Sequence, residues 1–136
     1  MDIQGPFKGS IAGFRYTLAV IDDHSQARWK RFLKHKNDAK GEIITLITKL
    51  EMFTERKVKT ICFDGGGEFL DTELRNWFKL KGITLEISAP DMQQQNGVAK
   101  RYNHTTHERA LAMLKDLELA DGFWPEAHEY LNYVHN

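Results

Sequence analysis

Two aspartates carry the chemistry this sequence offers. Asp2 falls in a short β-type run, Met1 to Gln4, that the Gly5-Pro6 turn ends. Asp64 closes a later strand and is followed by Gly65-Gly66-Gly67. Glycines after a strand end let backbone or ligand come close. In a mixed sheet the strands holding the two aspartates can be neighbours, which would bring the carboxylates together. Paired carboxylates suit hard divalent cations such as Mg²⁺, which take oxygen ligands and retain waters for substrate phosphates. Two such ions can clamp the attacking and leaving oxygens of an in-line phosphoryl displacement. The plain alternative is a frayed terminal residue at Asp2 and an ordinary turn at Asp64-Gly65.

The elements that must position these residues follow from periodicity. Tyr16 to Ile21 is apolar and β-branched, as a central buried strand is. Arg28 to Leu33 follows the polar Asp23-His24-Ser25-Gln26 turn as a hairpin partner. The period then becomes helical from Asp38, a candidate N-cap, to Arg56, with Ile43, Leu46, Ile47, Leu50 and Phe53 inward. Val58 to Phe63 is a strand. Asp71 to Lys81 is a helix with Leu70, Leu74, Trp77 and Phe78 inward, stopped by Gly82. Ile83 to Ile87 alternates as a strand, and Ser88 to Asn96, with Pro90, reads as a loop. A long helix spans Gly97 to Leu119, with Ala99, Tyr102, Thr106, Ala110, Met113 and Leu117 on one face. A last helix begins near Pro125 and turns Ala127, Tyr130, Leu131 and Val134 inward. The order βββαβαβαα implies an α/β fold: a five-stranded mixed sheet with helices on both faces.

Composition sets the limits. With 136 residues, the chain fits one domain, 1–136, with no repeat or linker. Hydrophobic residues at 41% are enough to bury a core. No apolar run approaches the roughly 18 residues of a membrane span, and no charged-then-apolar leader is present. One cysteine, Cys62, excludes a disulfide framework and a Cys-type zinc site, and fits a reducing, intracellular compartment. Nineteen basic residues against nineteen acidic ones give zero net charge, which argues against holding nucleic acid by bulk electrostatics. His24, His35, His128 and His135 lack partners at zinc spacing and are assigned no metal.

Several stretches together resemble the integrase catalytic core of copia-type LTR retrotransposons. They are Asp2-Ile3-Gln4-Gly5-Pro6, Ile21-Asp22-Asp23-His24-Ser25, Phe63 to Phe69, Gln94 to Ala99, Arg101 to Thr105 and Phe123 to Ala127. The resemblance runs in order along essentially the whole chain. It implies a ribonuclease H-like fold, in agreement with the element order. It also implies a triad of two aspartates and a glutamate, with 35 residues between the second aspartate and the glutamate. Asp2 and Asp64 match the aspartates, and the third position is Lys100. The family pattern Asn-Gly-Val-Ala-Glu-Arg stands here as Asn96-Gly97-Val98-Ala99-Lys100-Arg101. Gly65 stands where the family usually has Asn, and Gln93 where it commonly has Pro.

A lysine there reverses the local charge. Against a divalent ion about 4 Å away, at an effective dielectric near 20, it costs on the order of 8 kcal/mol. A protonated lysine also has no lone pair to donate. The expectation is that Lys100 pairs with Asp2 and Asp64, that Mg²⁺ or Mn²⁺ binds weakly or not at all, and that strand transfer is lost. Glu108 lies about 12 Å further along the helix, too far to replace the glutamate.

The helix face with Lys100 also carries Asn103, His104 and His107. The resemblance puts this face and the loop Asp91 to Gln95, with Gln94, Gln95 and Asn96, against a DNA end, where such groups can donate to phosphate oxygens. An ordinary solvated helix face is the competing reading. The resemblance further implies DNA as partner (element ends and target), a homodimer through the core, no small-molecule cofactor, and nuclear work within an integration complex. The zinc module that precedes such cores and the basic segments that follow them are absent, so the chain reads as an excised core with a clipped first strand. The rival is a non-catalytic DNA-binding or dimerisation module derived from an integrase. A ribonuclease H-type hydrolase is weaker, because Gln94-Gln95-Asn96-Gly97 looks like integrase.

Overall fold

The computed structural model describes residues 1–64, 71–88 and 93–136. Strand β1 (Asp2–Gln4) pairs antiparallel with β2 (Tyr16–Ile21), which pairs antiparallel with β3 (Arg28–Leu33). Helix α1 (Ala39–Thr54) follows, then β4 (Thr60–Asp64), α2 (Thr72–Lys81) and β5 (Thr84–Ser88), with β4 and β5 parallel. Helix α3 (Gln93–Asp116) and helix α4 (Trp124–His135) complete the chain. The fold is therefore α/β. Among the described residues, no helix is long and apolar enough to cross a membrane.

Strand β2 forms the centre because both its faces can be buried. Leu18 and Val20 enter one core with Leu33, Ile43, Leu46, Ile47, Ile61, Phe63, Leu74 and Phe78. Thr17 and Ala19, of opposite parity, are buried on the other face. A second core gathers there from Ala110, Leu114, Trp124 and Ala127, with Phe7, Phe14 and Phe32 against it. Helices α1 and α2 thus cover one layer, and α3 and α4 the other.

Local chemistry sets the element ends. The Asp22 carboxylate accepts from Ser25 N at 2.8 Å and Ser25 Oγ at 2.6 Å, closing the hairpin turn and holding the Asp22 pKa below the usual carboxylate range. The Asp71 carboxylate accepts from Leu74 N at 2.7 Å as the N-cap of α2, and Gly82, at φ +71°, ends that helix. Asp38 does occupy the N-cap position of α1, but its side chain accepts from His35 N at 2.8 Å and closes the preceding 3₁₀ turn.

The strands differ from the expected arrangement. Among the described residues, hydrogen bonding makes a three-stranded antiparallel sheet and a two-stranded parallel one, where a single five-stranded sheet was expected. The three residues of β1 give their ladder to β2. Towards β4 a bond runs from the Met1 amine to the Cys62 carbonyl at 2.7 Å. Helix α3 begins at Gln93, four residues ahead of the expected Gly97. The glycine run Gly65-Gly66-Gly67 with Glu68, Phe69 and Leu70, and the loop positions Pro90 and Asp91, lie outside the described residues.

Candidate metal and nucleic-acid site

The register of the first sheet builds the site. Asp2 is the partner of Ala19, and Ala19 is the partner of Lys30. Residues directly opposite across strands share a face, so Asp2, Ala19 and Lys30 form one row beneath α3 and α4. The small Ala19 leaves room between a carboxylate and a long cation.

Helix α3 crosses this row. Asn103 is 1% exposed, and its Nδ2 donates to Asp2 Oδ2 at 2.7 Å. That bond to a charged acceptor fixes the carboxylate of Asp2 in the site. The other end of the same amide, Asn103 Oδ1, is buried and finds no donor among the described residues. The backbone of Asp64 closes β4, beside β1 through the Met1–Cys62 bond, and the Asp64 side chain lies outside the description.

Lys30 is buried at 5% exposure and its Nζ lies 2.9 Å from His128 Nδ1 on α4. Burial pushes the Lys30 pKa down to about 7, against the opposing pull of the Asp2 charge. Burial, and then the nearby Lys30 and His107, push His128 down to about 2, so it is a neutral ring. With Nδ1 accepting from the ammonium, the proton of His128 sits on Nε2 and is donated to His107 Nδ1 at 3.1 Å. The His107 ring stacks on Phe7, with centroids 4.2 Å apart, and burial lowers its pKa as well. Tyr102 adds an electron-rich face, with Arg28 4.5 Å and Lys30 5.1 Å from its ring centre.

The expected DNA-facing positions on α3 divide by burial. Lys100 and His104 are exposed, and His104 Nδ1 lies 3.3 Å from a Glu108 oxygen. Asn103 and His107 point inward instead, to Asp2 and to His128. The expected pairing of Lys100 with Asp2 does not form: Asn103 occupies Asp2 Oδ2, and the Lys100 side chain lies in solvent. Gln94, Gln95 and Asn96 fall in the first turn of α3, and their side chains lie outside the description. Among the described residues, no three His, Cys, Asp or Glu side chains gather to hold a metal ion.

Sequence reasoning passed over Lys30, and took up His128 only to assign it no metal. The hairpin supplied a signal for the first. Once the Asp22–Ala27 turn pairs Ile21 with Arg28, Lys30 must lie opposite Ala19 and share a face with Asp2. His128 follows Ala127 and precedes Leu131 on an otherwise apolar side of α4, with no local mark of its partner.

The fold and site define an α/β domain with an acidic position at the edge of its first sheet, steadied by a buried amide. No family model matches the chain. The chain is 34% identical over 136 residues to the retrovirus-related Pol polyprotein from transposon TNT 1-94 of Nicotiana tabacum, covering 99% of this chain and 10% of that protein. It is 28% identical over 127 residues to the Pol polyprotein from transposon RE2 of Arabidopsis thaliana, covering 93% of this chain and 9% of that one. The corresponding protein from transposon RE1 of the same plant is 28% identical over 123 residues, covering 90% of this chain and 8% of its own length. The chain thus spans about a tenth of the length of the curated relatives it matches. It is homologous to a segment of retrotransposon Pol polyproteins, which supports an integrase-related origin.

Proposed function

We propose that this chain is the catalytic core of a retrotransposon integrase, a polynucleotidyl transferase whose third acidic position is taken by Lys100. The observation that carries this reading is the Met1–Cys62 bond, which sets β1 beside β4 and so draws Asp2 towards the strand that ends in Asp64. On this reading the five strands complete one ribonuclease H-like sheet, with β1 and β4 as inner neighbours.

Asp2 and Asp64 are the groups that would hold Mg²⁺ or Mn²⁺. Their hard oxygens fit such an ion, and the Asn103 amide that donates to Asp2 turns its other end, an oxygen without a donor among the described residues, into the same buried layer. A bound divalent ion supplies charge neutralisation for in-line attack on a phosphodiester. Asn103 holds the Asp2 carboxylate in orientation. Lys100 and His104, exposed on α3, and the first-turn residues Gln94, Gln95 and Asn96 face the DNA and donate to phosphate oxygens. Without the glutamate the ion is held weakly, and 3′-end processing and strand transfer are lost. DNA ends and target DNA are the partners, the core dimerises, and the work is nuclear.

The second reading, a non-catalytic DNA-binding or dimerisation module, is favoured by Lys100 itself. An assay on element-end DNA separates the two, using a longer chain that restores the segments flanking this one in its relatives. With Mg²⁺ or Mn²⁺, Lys100→Glu gains end processing and strand transfer while the unmodified chain stays inactive. Robust activity of the unmodified chain contradicts the proposal. DNA binding with no gain from Lys100→Glu supports the module.

A further inference from the structure

Strand β2 runs on past β1. In the register that pairs Asp2 with Ala19, Met1 stands opposite Val20, and Ile21 pairs with Arg28 of β3 but with no residue of β1. Successive residues of a strand turn their N–H and C=O alternately to one neighbour and the other. Asp22 N donates to the Ala27 carbonyl across the hairpin, so the backbone groups of Ile21 turn the other way, towards β1. Strand β4 presents the opposite wall. Lys59 O accepts from Thr84 N beside β5, and Cys62 O accepts from the Met1 amine, so Thr60, of the parity of Cys62, also turns towards β1. Between Ile21 and Thr60 lies a groove of about 1410 Å³, bounded by Leu46, Ile47 and Leu50 of α1 on one side and Val98 of α3 on the other. That exceeds the roughly 300–1,000 Å³ of small-molecule pockets.

We propose that this groove is a strand-addition site, filled in the longer protein by the polypeptide that leads into Met1 and extends β1 backwards between β2 and β4. Continuity selects this occupant. Met1 already sits at the end of the groove, in register with both walls, and a strand from any other source would run into it. The matched relatives show how much chain lies outside this stretch, which spans about a tenth of their length. Backbone bonds supply the affinity, as in other strand additions, and alternate side chains supply the selection. Met1 and Ile3 pack against the core beneath α1, so the second residue before Met1 points the same way, at Leu46 and Leu50, and is apolar. The residue next to Met1 shares the parity of Asp2, exchanges its backbone bonds with Ile21 and points towards Val98. None of this depends on the metal reading.

Amide hydrogen exchange followed by NMR tests it. One sample is the 136-residue chain. The other is the same chain carrying the residues, about ten, that precede it in the full-length polypeptide, enough for a strand. The Leu18 amide, held by β3 in both chains, is the internal reference. Relative to Leu18, exchange at Ile21 and Thr60 slows about 100-fold in the longer chain. An aspartate placed two residues before Met1 sets a charge against Leu46 and Leu50 and returns both amides to fast exchange. Equal relative exchange in the two chains overturns the proposal. So does protection in the 136-residue chain that grows with protein concentration, which assigns the groove to a second copy.

Discussion

Lys30 and His128 meet inside the protein, Nζ to Nδ1 at 2.9 Å, and join the central sheet to the last helix. Among the described residues neither side chain has a carboxylate in contact, and the Asp2 charge acts on Lys30 from across Ala19. The contact therefore depends on protonation. Lys30 is shifted down from 10.5 to about 7, so between those values the unfolded chain binds more protons and stability rises with pH. His128 is shifted down from 6.5 to about 2, so stability falls as pH drops below about 6.5.

Urea denaturation of the unmodified chain at pH 5, 7 and 9 should therefore give midpoints that rise in that order. Lys30→Met keeps the length of the side chain without its charge. It flattens the rise between pH 7 and 9 and leaves His128 Nδ1 without a donor, a loss of about 1–3 kcal/mol at pH 9. An unchanged pH slope in Lys30→Met would show that another group carries the dependence.

The turn after β1 is tightly built. Gly5 has φ +135°, and a Cβ there would stand 2.6 Å from the Arg15 carbonyl oxygen and 2.7 Å from Tyr16 Cδ1. Gly5→Ala is expected to cost about 2 kcal/mol or more, because both the dihedral and the space oppose it. Since Gly5 follows the strand that carries Asp2, the same variant should also weaken Mn²⁺ binding. Denaturation and metal titration of one sample check both parts, and wild-type values in both contradict this account of the turn.

Helix α1 offers a contrast within one apolar pattern. Leu46 is 2% exposed and Phe53 is 88% exposed. Leu46→Ala is expected to lose about 2–5 kcal/mol by leaving a cavity. Phe53→Ala, on the same helix, should change stability by no more than about 0.5 kcal/mol. Denaturation midpoints decide, and comparable losses in the two variants would contradict the observed packing.

That contrast also marks where the sequence stops being legible. Strands β2 and β3 were readable residue for residue, because strong β-branched runs meet a polar turn there. The start of α2 near Asp71 and its stop at Gly82 were readable because both are set within one turn of chain. Phe53, Leu117 and Val134 follow the inward period yet are exposed, since they lie in or beyond the late turns of their helices, where periodicity outruns the surface available to cover it; Tyr130, mid-way along α4, is exposed as well. The acidic position at Asp2 was legible by type. The burial of Lys30, Asn103 and His128 was not, because it arises from strand register and helix crossing, which no local pattern encodes.

The central proposal is that Asp2 and Asp64 together bind one divalent ion. A crystal of the Lys100→Glu chain soaked in Mn²⁺ tests it most directly, through the anomalous density of the ion. The account predicts a peak bridging the carboxylates of Asp2 and Asp64, with the introduced carboxylate beside it. Density elsewhere, or two aspartates too far apart to share an ion, would contradict it.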